Sequence, residues 1–468
     1  NEISKYYYSI NNSSYVEGSS TYTFTNLNEQ TTYTIKVKVA DTNGRMSNEY
    51  SLSATTDEYK LPTITNVTTS STSSSITINV NGQNGDGTIT EYYYSKDNGS
   101  NYVKSTNSSY TFTNLTSNTT FYIKVYVKDS NGKSSSVFTT SLATSSSILI
   151  DYVISRYTGT QGENGIYYHN SSLTNGAGDN SYRYAGVNPN NYVCFGTYAS
   201  PCPTDNLYRI IGVFGDNYHG VSGKQLVKLI KYDYANSDLL GTDGEYYRSR
   251  NPTPSYYEGS LSIISTYYWN KDTGINTWNR SLLNKTNLNT NFINNIGSTW
   301  ANKIATTTWK VGGNTYANIR DAVPSVAYTN EITSPAENTT YSAKIGLMYA
   351  SDYGYGAVPE AWTTTLINYG GSMNDYTIRS QNWMHMGYTE WTISHCTDDY
   401  TRVVYIPNSG TVDTISVDFY GYGVRPVFFL DSSVTYASGT GTSSDPIRIN
   451  WSNVKLLLFC WYINTIIV

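Results

Sequence analysis

The feature that most constrains the fold of this chain is an internal repeat. The hexapeptide Tyr-Thr-Phe-Thr-Asn-Leu occupies residues 22–27 and returns at residues 110–115. Each copy is preceded by a tyrosine run and followed by an Asp-Xaa-Asn-Gly turn, at residues 6–8 and 92–94 and at residues 41–44 and 129–132. Repetition at this period is typical of tandem modules. We therefore expect residues 1–57 and residues 58–147 to be two copies of one small domain.

The local patterns inside each copy predict strands. Residues 75–80 and 120–127 alternate between apolar and polar side chains, as half-buried strands do. Asn98 and Gly99 separate two further strand-like segments and supply the positive φ angles that a tight hairpin needs. This order of elements predicts a sandwich of short antiparallel strands.

The two copies resemble fibronectin type III domains, in which a leucine is followed six positions later by a corner tyrosine that enters a strand. Leu27 and Tyr33 match this pattern. In the second copy Phe121 takes the place of the tyrosine and cannot make its hydroxyl-to-backbone bond. The first copy lacks the opening strands of the family. We therefore expect a truncated module, in a fragment or processed product whose export signal lies outside the sequence.

Tyrosine and small polar residues dominate the composition. Of 468 residues, 48 are tyrosine, and charged residues make up 14% of the chain, against about 25% in an average soluble domain. Tyr, Thr, Val and Ile favour strands, while Asn and Gly favour turns, so a mostly β chain is expected. The formal net charge of −5 offers no basic surface for a polyanion, and no nucleic-acid partner is expected.

The four cysteines disfavour a structural zinc, because no CxxC pair or Cys/His spacing of the zinc type occurs. Cys194 and Cys202 are close in sequence and could close a small disulfide loop in an exported protein. The alternative is two unpaired thiols. Residues 451–468 are apolar but interrupted and shorter than the ~20 residues of a bilayer span. We expect a packed strand or an aberrant tail there; membrane association would depend on this tail or on a segment preceding Asn1.

Residues 148–450 do not share the repeated sequence pattern, and they are expected to form a separate α+β domain. Residues 207–214 and 225–231 predict a strand hairpin. Between residues 272 and 304 apolar residues recur at helical spacing, which predicts two short amphipathic helices. Further strands are expected at residues 344–350, 390–394, 401–406 and 423–430.

Several segments of this region are similar to an uncharacterised domain family of Gram-positive surface proteins, related to the C-type-lectin and formylglycine-generating-enzyme folds. They are residues 208–212, 345–354, 382–383, 391–394 and 423–426. The resemblance implies that residues 207–214 pair with residues 423–430, the opening and closing strands. It also implies that the loops before the closing strand, about residues 383–422, form an exposed recognition face.

Tyrosine and tryptophan give a binding face large contact area at low entropic cost. On this basis we predict ligand-binding residues in the exposed loops: Tyr388, His395, Asp398, Asp399, Tyr400, Arg402, Tyr420 and Tyr422. The alternative is that Trp362, Trp383 and Trp391 are core residues and that the tyrosines follow the compositional bias of the chain.

No cofactor is expected. The Glu-Pro-Asn, Gln-Pro-Asp and Trp-Asn-Asp motifs of calcium-dependent lectins are absent, although loop carboxylates could supply calcium ligands, namely Asp398, Asp399, Asp413 and Asp418. His385 and His395 could join Asp398 on a transition metal, but scattered polar loop residues are the simpler interpretation.

No catalytic residue is assigned. Cys396 is a single cysteine where the formylglycine-generating enzymes use a pair, and a glycosidase would require a fixed gap between Asp352 and Glu360 or Glu390. The prediction is a bacterial extracellular or cell-surface adhesion protein that binds carbohydrate or a protein of a host or neighbouring cell. An enzyme of the same fold, a polysaccharide hydrolase and a pilus or surface-layer subunit are the alternatives.

Overall fold

The computed structural model describes residues 2–250, 257–261, 263–373 and 376–451. These residues divide into two compact units, with the boundary in the chain between Ser145 and Ser146. None of the helices in the described ranges has the length and apolar character that a membrane crossing requires. The predicted apolar tail, apart from Trp451, lies outside the described residues.

The first module of the first unit is a single four-stranded antiparallel sheet with the order β2-β1-β3-β4. Its strands are β1 (Ile3–Ile10), β2 (Val16–Gly18), β3 (Thr32–Asp41) and β4 (Tyr50–Thr55). Tyr33 enters β3, and its hydroxyl accepts the backbone N–H of Asn28 at 2.8 Å. This is the hydroxyl-to-backbone bond expected of the corner tyrosine.

The second module is a two-sheet sandwich. Its strands are β5 (Thr63–Ser71), β6 (Ile76–Gln83), β7 (Ile89–Ser95), β8 (Val103–Ser105), β9 (Ser109–Phe112), β10 (Thr120–Asp129) and β11 (Phe138–Ala143). Sheet β5-β6-β9 packs on sheet β11-β10-β7-β8. The alternating apolar side chains of β6 and β10 fill the space between them, with Ile78 and Val125 fully buried. The predicted sandwich of short antiparallel strands is confirmed for this module.

The turns of this unit follow the sequence signals. Asn98 and Gly99, between β7 and β8, have φ angles of 59° and 86°, as the tight hairpin requires. Asp129 Oδ1 accepts the N–H groups of Asn131 and Lys133. Asp41 repeats this arrangement at the corresponding turn of the first module. The internal repeat is therefore a repeat of local geometry as well as of sequence.

The second unit is built on a seven-stranded antiparallel sheet. Its order is β12-β13-β15-β16-β27-β21, and β14 also pairs with β15. The strands are β12 (Ile166–Tyr168), β13 (Tyr182–Tyr184), β14 (Tyr192–Cys194), β15 (Leu207–Phe214), β16 (Leu226–Lys231), β21 (Ile345–Gly346) and β27 (Val427–Phe429). The predicted hairpin is present as β15 and β16.

Smaller sheets surround this one. They are formed by β17 (Glu245–Arg250) with β18 (Ile264–Tyr267), β19 (Thr307–Lys310) with β20 (Thr340–Ala343), β22 (Ser372–Met373) with β23 (Tyr376–Thr377), and β28 (Val434–Ser438) with β29 (Arg448–Trp451). A three-stranded sheet is formed by β24 (Glu390–His395), β25 (Arg402–Ile406) and β26 (Asp413–Ser416).

Short helices cover the sheets of the second unit. They are α1 (Leu149–Ser155), α2 (Asp216–His219), α3 (Ser237–Leu240), α4 (Ile293–Asn295), α5 (Ser298–Ala301), α6 (Tyr316–Asp321), α7 (Pro324–Tyr328) and α8 (Ala350–Gly356). A π-helical segment, Leu283–Phe292, runs directly into α4. Its Leu288 and Phe292 are buried, as their helical spacing predicts.

The predicted pairing of the opening and closing strands is wrong. β15 pairs with β16, and β16 in turn pairs with β27, so one strand separates the two. All six residues of β16 are buried, which is typical of a central strand covered on both faces. Lys228, on this strand, is fully buried against Asp352.

The segment from Trp383 to about residue 396 is buried, contrary to the exposed face that we expected. All six residues of β24 are buried, and Trp383 and Trp391 are 3% and 1% exposed. The polar residue at the start of β24 is accommodated by a bidentate ion pair, because Arg425 donates to both oxygens of Glu390 at 2.7 and 2.8 Å. The alternative in which these tryptophans belong to the core is therefore correct.

Candidate ligand-binding surface

Two of the eight predicted ligand residues are buried. Tyr388 is 8% exposed, and its carbonyl accepts the hydroxyl of Tyr234 at 2.8 Å. His395 is 7% exposed, and burial lowers its pKa to about 4. We expected both on the recognition face. Neither lies there, because His395 is on the covered strand β24 and Tyr388, just before it, is buried against Tyr234.

Four predicted residues lie together at the turn between β24 and β25. Asp399 accepts hydrogen bonds from the backbone and hydroxyl of Thr401, which lower its pKa, and pairs with Arg402 at 3.3 Å. Asp398 accepts the backbone N–H of Tyr316 at 2.7 Å. The ring of Tyr400 is 71% exposed. The charged side chains thus stabilise the turn through contacts within the protein, while the side chain of Tyr400 is available to a ligand.

The last two predicted residues belong to a row of aromatic side chains that we call the aromatic ribbon. It consists of Tyr405, Tyr422, Tyr420, Phe419, Tyr246 and Tyr268. Neighbouring ring centroids lie 4.4 to 6.3 Å apart. Phe419 is 61% exposed and Tyr420 is 40% exposed, while the other four rings are half-buried. The ribbon is therefore supported along its length and open to solvent at its middle.

Backbone and side-chain contacts with the neighbouring segments hold the aromatic ribbon in place. Tyr422 exchanges two backbone hydrogen bonds of 3.0 Å with Tyr267 at the end of β18. The ring of Tyr422 packs on Trp391 with centroids 4.6 Å apart, and the indole N–H of Trp391 donates to the Tyr267 carbonyl at 2.7 Å. A Cβ at Gly421 would lie 2.2 Å from the Cβ of Tyr246. Only a glycine permits this approach of the two segments.

The sequence did not identify Tyr246, Tyr268 or Phe419 as members of this surface. The first two lie in a different part of the chain, on and next to the β17–β18 hairpin. In a chain with 48 tyrosines the residue type alone carries little signal. A useful signal was the glycine between Tyr420 and Tyr422, which indicates a close backbone approach.

A separate polar pocket of about 210 Å³ opens beside β16 and α3. Lys231, which is 1% exposed, lines this pocket together with Asp205, Asp238 and the ring of Tyr208. Burial lowers the pKa of Lys231. The pocket contains none of the predicted ligand residues.

The cysteines are placed as follows. Cys194 on β14 is bonded to Cys202, with their Cα atoms 5.9 Å apart. Cys396 is free and buried, and burial together with Asp398 and Asp399 raises its pKa to about 12. A thiol of this kind stays protonated near neutral pH, which argues against a thiolate nucleophile. Cys460 lies outside the described residues.

The described ranges contain no arrangement of side chains that would support the metal site or the hydrolase considered above. No group of three or more His, Cys, Asp or Glu side chains there is arranged to hold a metal ion. The four loop aspartates considered for calcium therefore do not converge. Asp352 and Glu390 are each held in a buried ion pair, with Lys228 and with Arg425, and are not free for glycoside hydrolysis.

Comparison with known proteins adds local similarities. No family model matches the chain, and no curated protein matches it. Among solved structures, the chitinase ChiA74 from Bacillus thuringiensis is 23% identical over 20% of this chain and 14% of its own, with a TM-score of 0.17. The chicken CNTN1 FN1-FN3 domains are 16% identical over 30% of this chain and 56% of their own, with a TM-score of 0.18.

The PKD1 domain of Vibrio anguillarum Epp is 17% identical over 19% of this chain and 98% of its own, with a TM-score of 0.16. The chain thus spans only part of the chitinase and of the CNTN1 fragment. These similarities are short and weak. The β-sandwich assignment therefore rests on the strand pairing described above.

Proposed function

We propose that this protein is an extracellular binding protein whose second unit holds a polysaccharide along the aromatic ribbon, with the sandwich of residues 63–143 as a spacer. The observation that carries the proposal is the ribbon itself. Contiguous exposed aromatic surface on a folded domain marks an interaction site. Tyrosine combines a flat apolar face with a hydroxyl, and such side chains suit ligands with both apolar and hydroxyl-bearing faces.

The composition supports a neutral, hydroxyl-rich ligand over a charged one. Charged residues make up only 14% of the chain. At one end of the ribbon, the ammonium of Lys271 lies 4.8 Å from the Tyr268 ring centroid. The rings of Phe419 and Tyr420 meet edge to face at 79°, so they offer a ligand two differently oriented surfaces. A stepped surface of this kind suits a twisted sugar chain.

The proposed location is outside the cell, at a cell surface. The Cys194–Cys202 disulfide supports it, because such bonds persist in oxidising compartments. A lectin-like activity and a bacterial host follow from the family resemblance and form part of the same proposal. The enzyme alternatives have no supporting geometry in the described residues.

A glycan array probed with the full chain tests this function, followed by binding to the polysaccharides that respond. The matched variant is Phe419→Ala combined with Tyr420→Ala, and the control is Tyr198→Ala, which removes a 62% exposed tyrosine elsewhere. We expect the double variant to lose binding at least about tenfold, as loss of two aromatic contacts implies. Binding only to proteins, or equal binding by both variants, would contradict the proposal.

A further inference from the structure

The core of the second unit encloses an amine and a carboxyl group in direct contact. Lys228 lies on the central strand β16, and Asp352 lies in the first turn of α8. Both side chains are 0% exposed, and Lys228 Nζ is 2.5 Å from Asp352 Oδ2. The Tyr218 hydroxyl contacts both partners. It donates to Asp352 Oδ1 at 2.6 Å and accepts from Lys228 Nζ at 3.0 Å.

The rings packed around the pair are aromatic, and two charged groups, Arg183 and Glu331, also act on Lys228. The rings around Nζ have centroids 4.6 to 5.7 Å away, namely Phe214, Tyr218, Trp309, Tyr349 and Phe429. Their faces attract a cation, but the loss of water around two buried charges costs more than such contacts return. Burial accordingly lowers the pKa of Lys228 to about 8. An amine held in direct contact with a carboxyl group, away from water, is the arrangement from which an amide can form.

We propose that Lys228 and Asp352 condense to an intramolecular isopeptide bond once the unit has folded. First, Lys228 Nζ passes one proton through the Tyr218 hydroxyl to Asp352 Oδ1, and the resulting amine attacks Cγ, so that a nitrogen–carbon bond forms. The Tyr218 hydroxyl then accepts a second proton from Nζ and passes its own proton to Oδ1. The Cγ–Oδ1 bond then breaks, and Oδ1 leaves as water.

The remaining oxygen keeps its structural role after this step. Asp352 Oδ2 accepts the backbone N–H of Tyr349 at 2.9 Å, a bond that caps the start of α8. As the amide oxygen it can still accept this N–H. The amide N–H can donate to the Tyr218 hydroxyl. The reaction therefore keeps the helix cap and the contact of the nitrogen with Tyr218, gives up the Tyr218–Oδ1 hydrogen bond, and needs no oxidant, reductant or other reactant.

The proposed bond would tie the sheet to a helix that lies far away in sequence. Lys228 and Asp352 are 124 positions apart, whereas the Cys194–Cys202 disulfide spans 8. Closing a long loop removes many conformations from the unfolded chain. A cross-link at this place would therefore hold β16 and α8 together even under denaturing conditions.

The test is the intact mass of the full chain after reduction and denaturation. We expect a mass lower by one water molecule than the sequence mass. Trypsin should then release a branched peptide that joins the Lys228 and Asp352 segments, without cleavage after Lys228. The full sequence mass, with the two residues in separate linear peptides, would overturn the proposal. So would a water loss located at Asp86-Gly87 or Asp243-Gly244, where cyclic imides form.

The Tyr218→Phe variant tests the proton relay while it keeps the ring. We expect water loss in this variant to be about 100-fold slower or more, in line with the loss of a general acid–base group. Tyr355→Phe is the control, because Tyr355 is equally buried and its hydroxyl bonds the carbonyl of Asn175 instead. An unchanged rate in Tyr218→Phe would refute the relay. Whether the isopeptide bond forms is decided by the mass of the chain without substitutions, even if a variant does not fold.

Discussion

Tyr405 and Tyr422 stack face to face, with ring centroids 5.3 Å apart and ring planes within 10° of parallel. One residue comes from β25 and the other from the segment that bridges to β18. The stack therefore joins the small three-stranded sheet to the β17–β18 hairpin. It forms the supported end of the aromatic ribbon, from which the exposed rings of Tyr420 and Phe419 extend.

The close approach at Gly421 gives a first prediction. In Gly421→Ala the new methyl group meets the Tyr246 side chain, since its Cβ would lie 2.2 Å from the Tyr246 Cβ. We expect a loss of about 1–3 kcal/mol in the free energy of unfolding, together with weaker polysaccharide binding. Urea unfolding and a binding titration measure the two effects. Gly215→Ala is the control, because nothing lies within 4 Å of its Cβ position and its φ of −82° suits any residue.

The buried pair of Glu390 and Arg425 gives a second prediction. Both side chains are 1% exposed, so Glu390→Gln leaves a guanidinium without its counter-charge in the core. We expect a destabilisation of about 3–5 kcal/mol, measured by urea unfolding. Glu17→Gln is the matched control at the exposed pair with Lys5, where little or no change in the free energy of unfolding is expected. Equal effects at the two sites would contradict the burial of Arg425.

The buried histidine on β24 makes stability depend on pH. The pKa of His395 is lowered to about 4 in the folded chain, whereas an unfolded histidine titrates near 6.5. Between these values the unfolded chain binds a proton that the folded chain does not, so this contribution to stability is present above pH ~6.5 and is lost as the pH falls toward about 4. The full effect is about 3 kcal/mol.

Replacement of this histidine should flatten the pH profile. In His395→Gln, urea unfolding between pH 7 and pH 4 should show a smaller loss of stability than in the unsubstituted chain. A profile that stays equally steep would show that His395 is accessible to water and protonates in the folded state.

The Cys194–Cys202 disulfide is expected to stabilise the folded chain by closing a short loop. Cys202→Ser opens the bond to Cys194, across a separation of 8 residues. A loop of this size is expected to contribute about 2–3 kcal/mol in the chain-entropy account. Urea unfolding of Cys202→Ser against the oxidised chain measures this value. The same urea midpoint for both chains, with the bond shown to be intact in the reference, would contradict it.

Local structure could be predicted from the sequence to a large extent, because its signals lie within a few residues. The Asn98-Gly99 turn, the corner tyrosine Tyr33 and the β15–β16 hairpin are of this kind. Their geometry depends on φ preferences, hydrogen bonding and alternation in short segments. None of them requires knowledge of distant partners.

Long-range order could not be predicted in the same way. The central position of β16 depends on distant contacts, such as that of Lys228 with Asp352, 124 positions away. Glu390, which we considered as a hydrolase carboxylate, is likewise held by Arg425, 35 positions away. The aromatic ribbon was not predicted for a related reason. Tyr246 and Tyr420 are distant in sequence, and their rings come together only in the folded chain.

The most direct test of the account is protection of the ribbon by ligand. Hydrogen–deuterium exchange of the full chain should be measured with and without a polysaccharide selected on the glycan array. The account predicts slower exchange in residues 417–422 and in residues 244–247 when the polysaccharide is bound, and no such change in the Phe419→Ala, Tyr420→Ala double variant. Protection confined to other segments, such as the Lys231 pocket or the sandwich of residues 63–143, would contradict it.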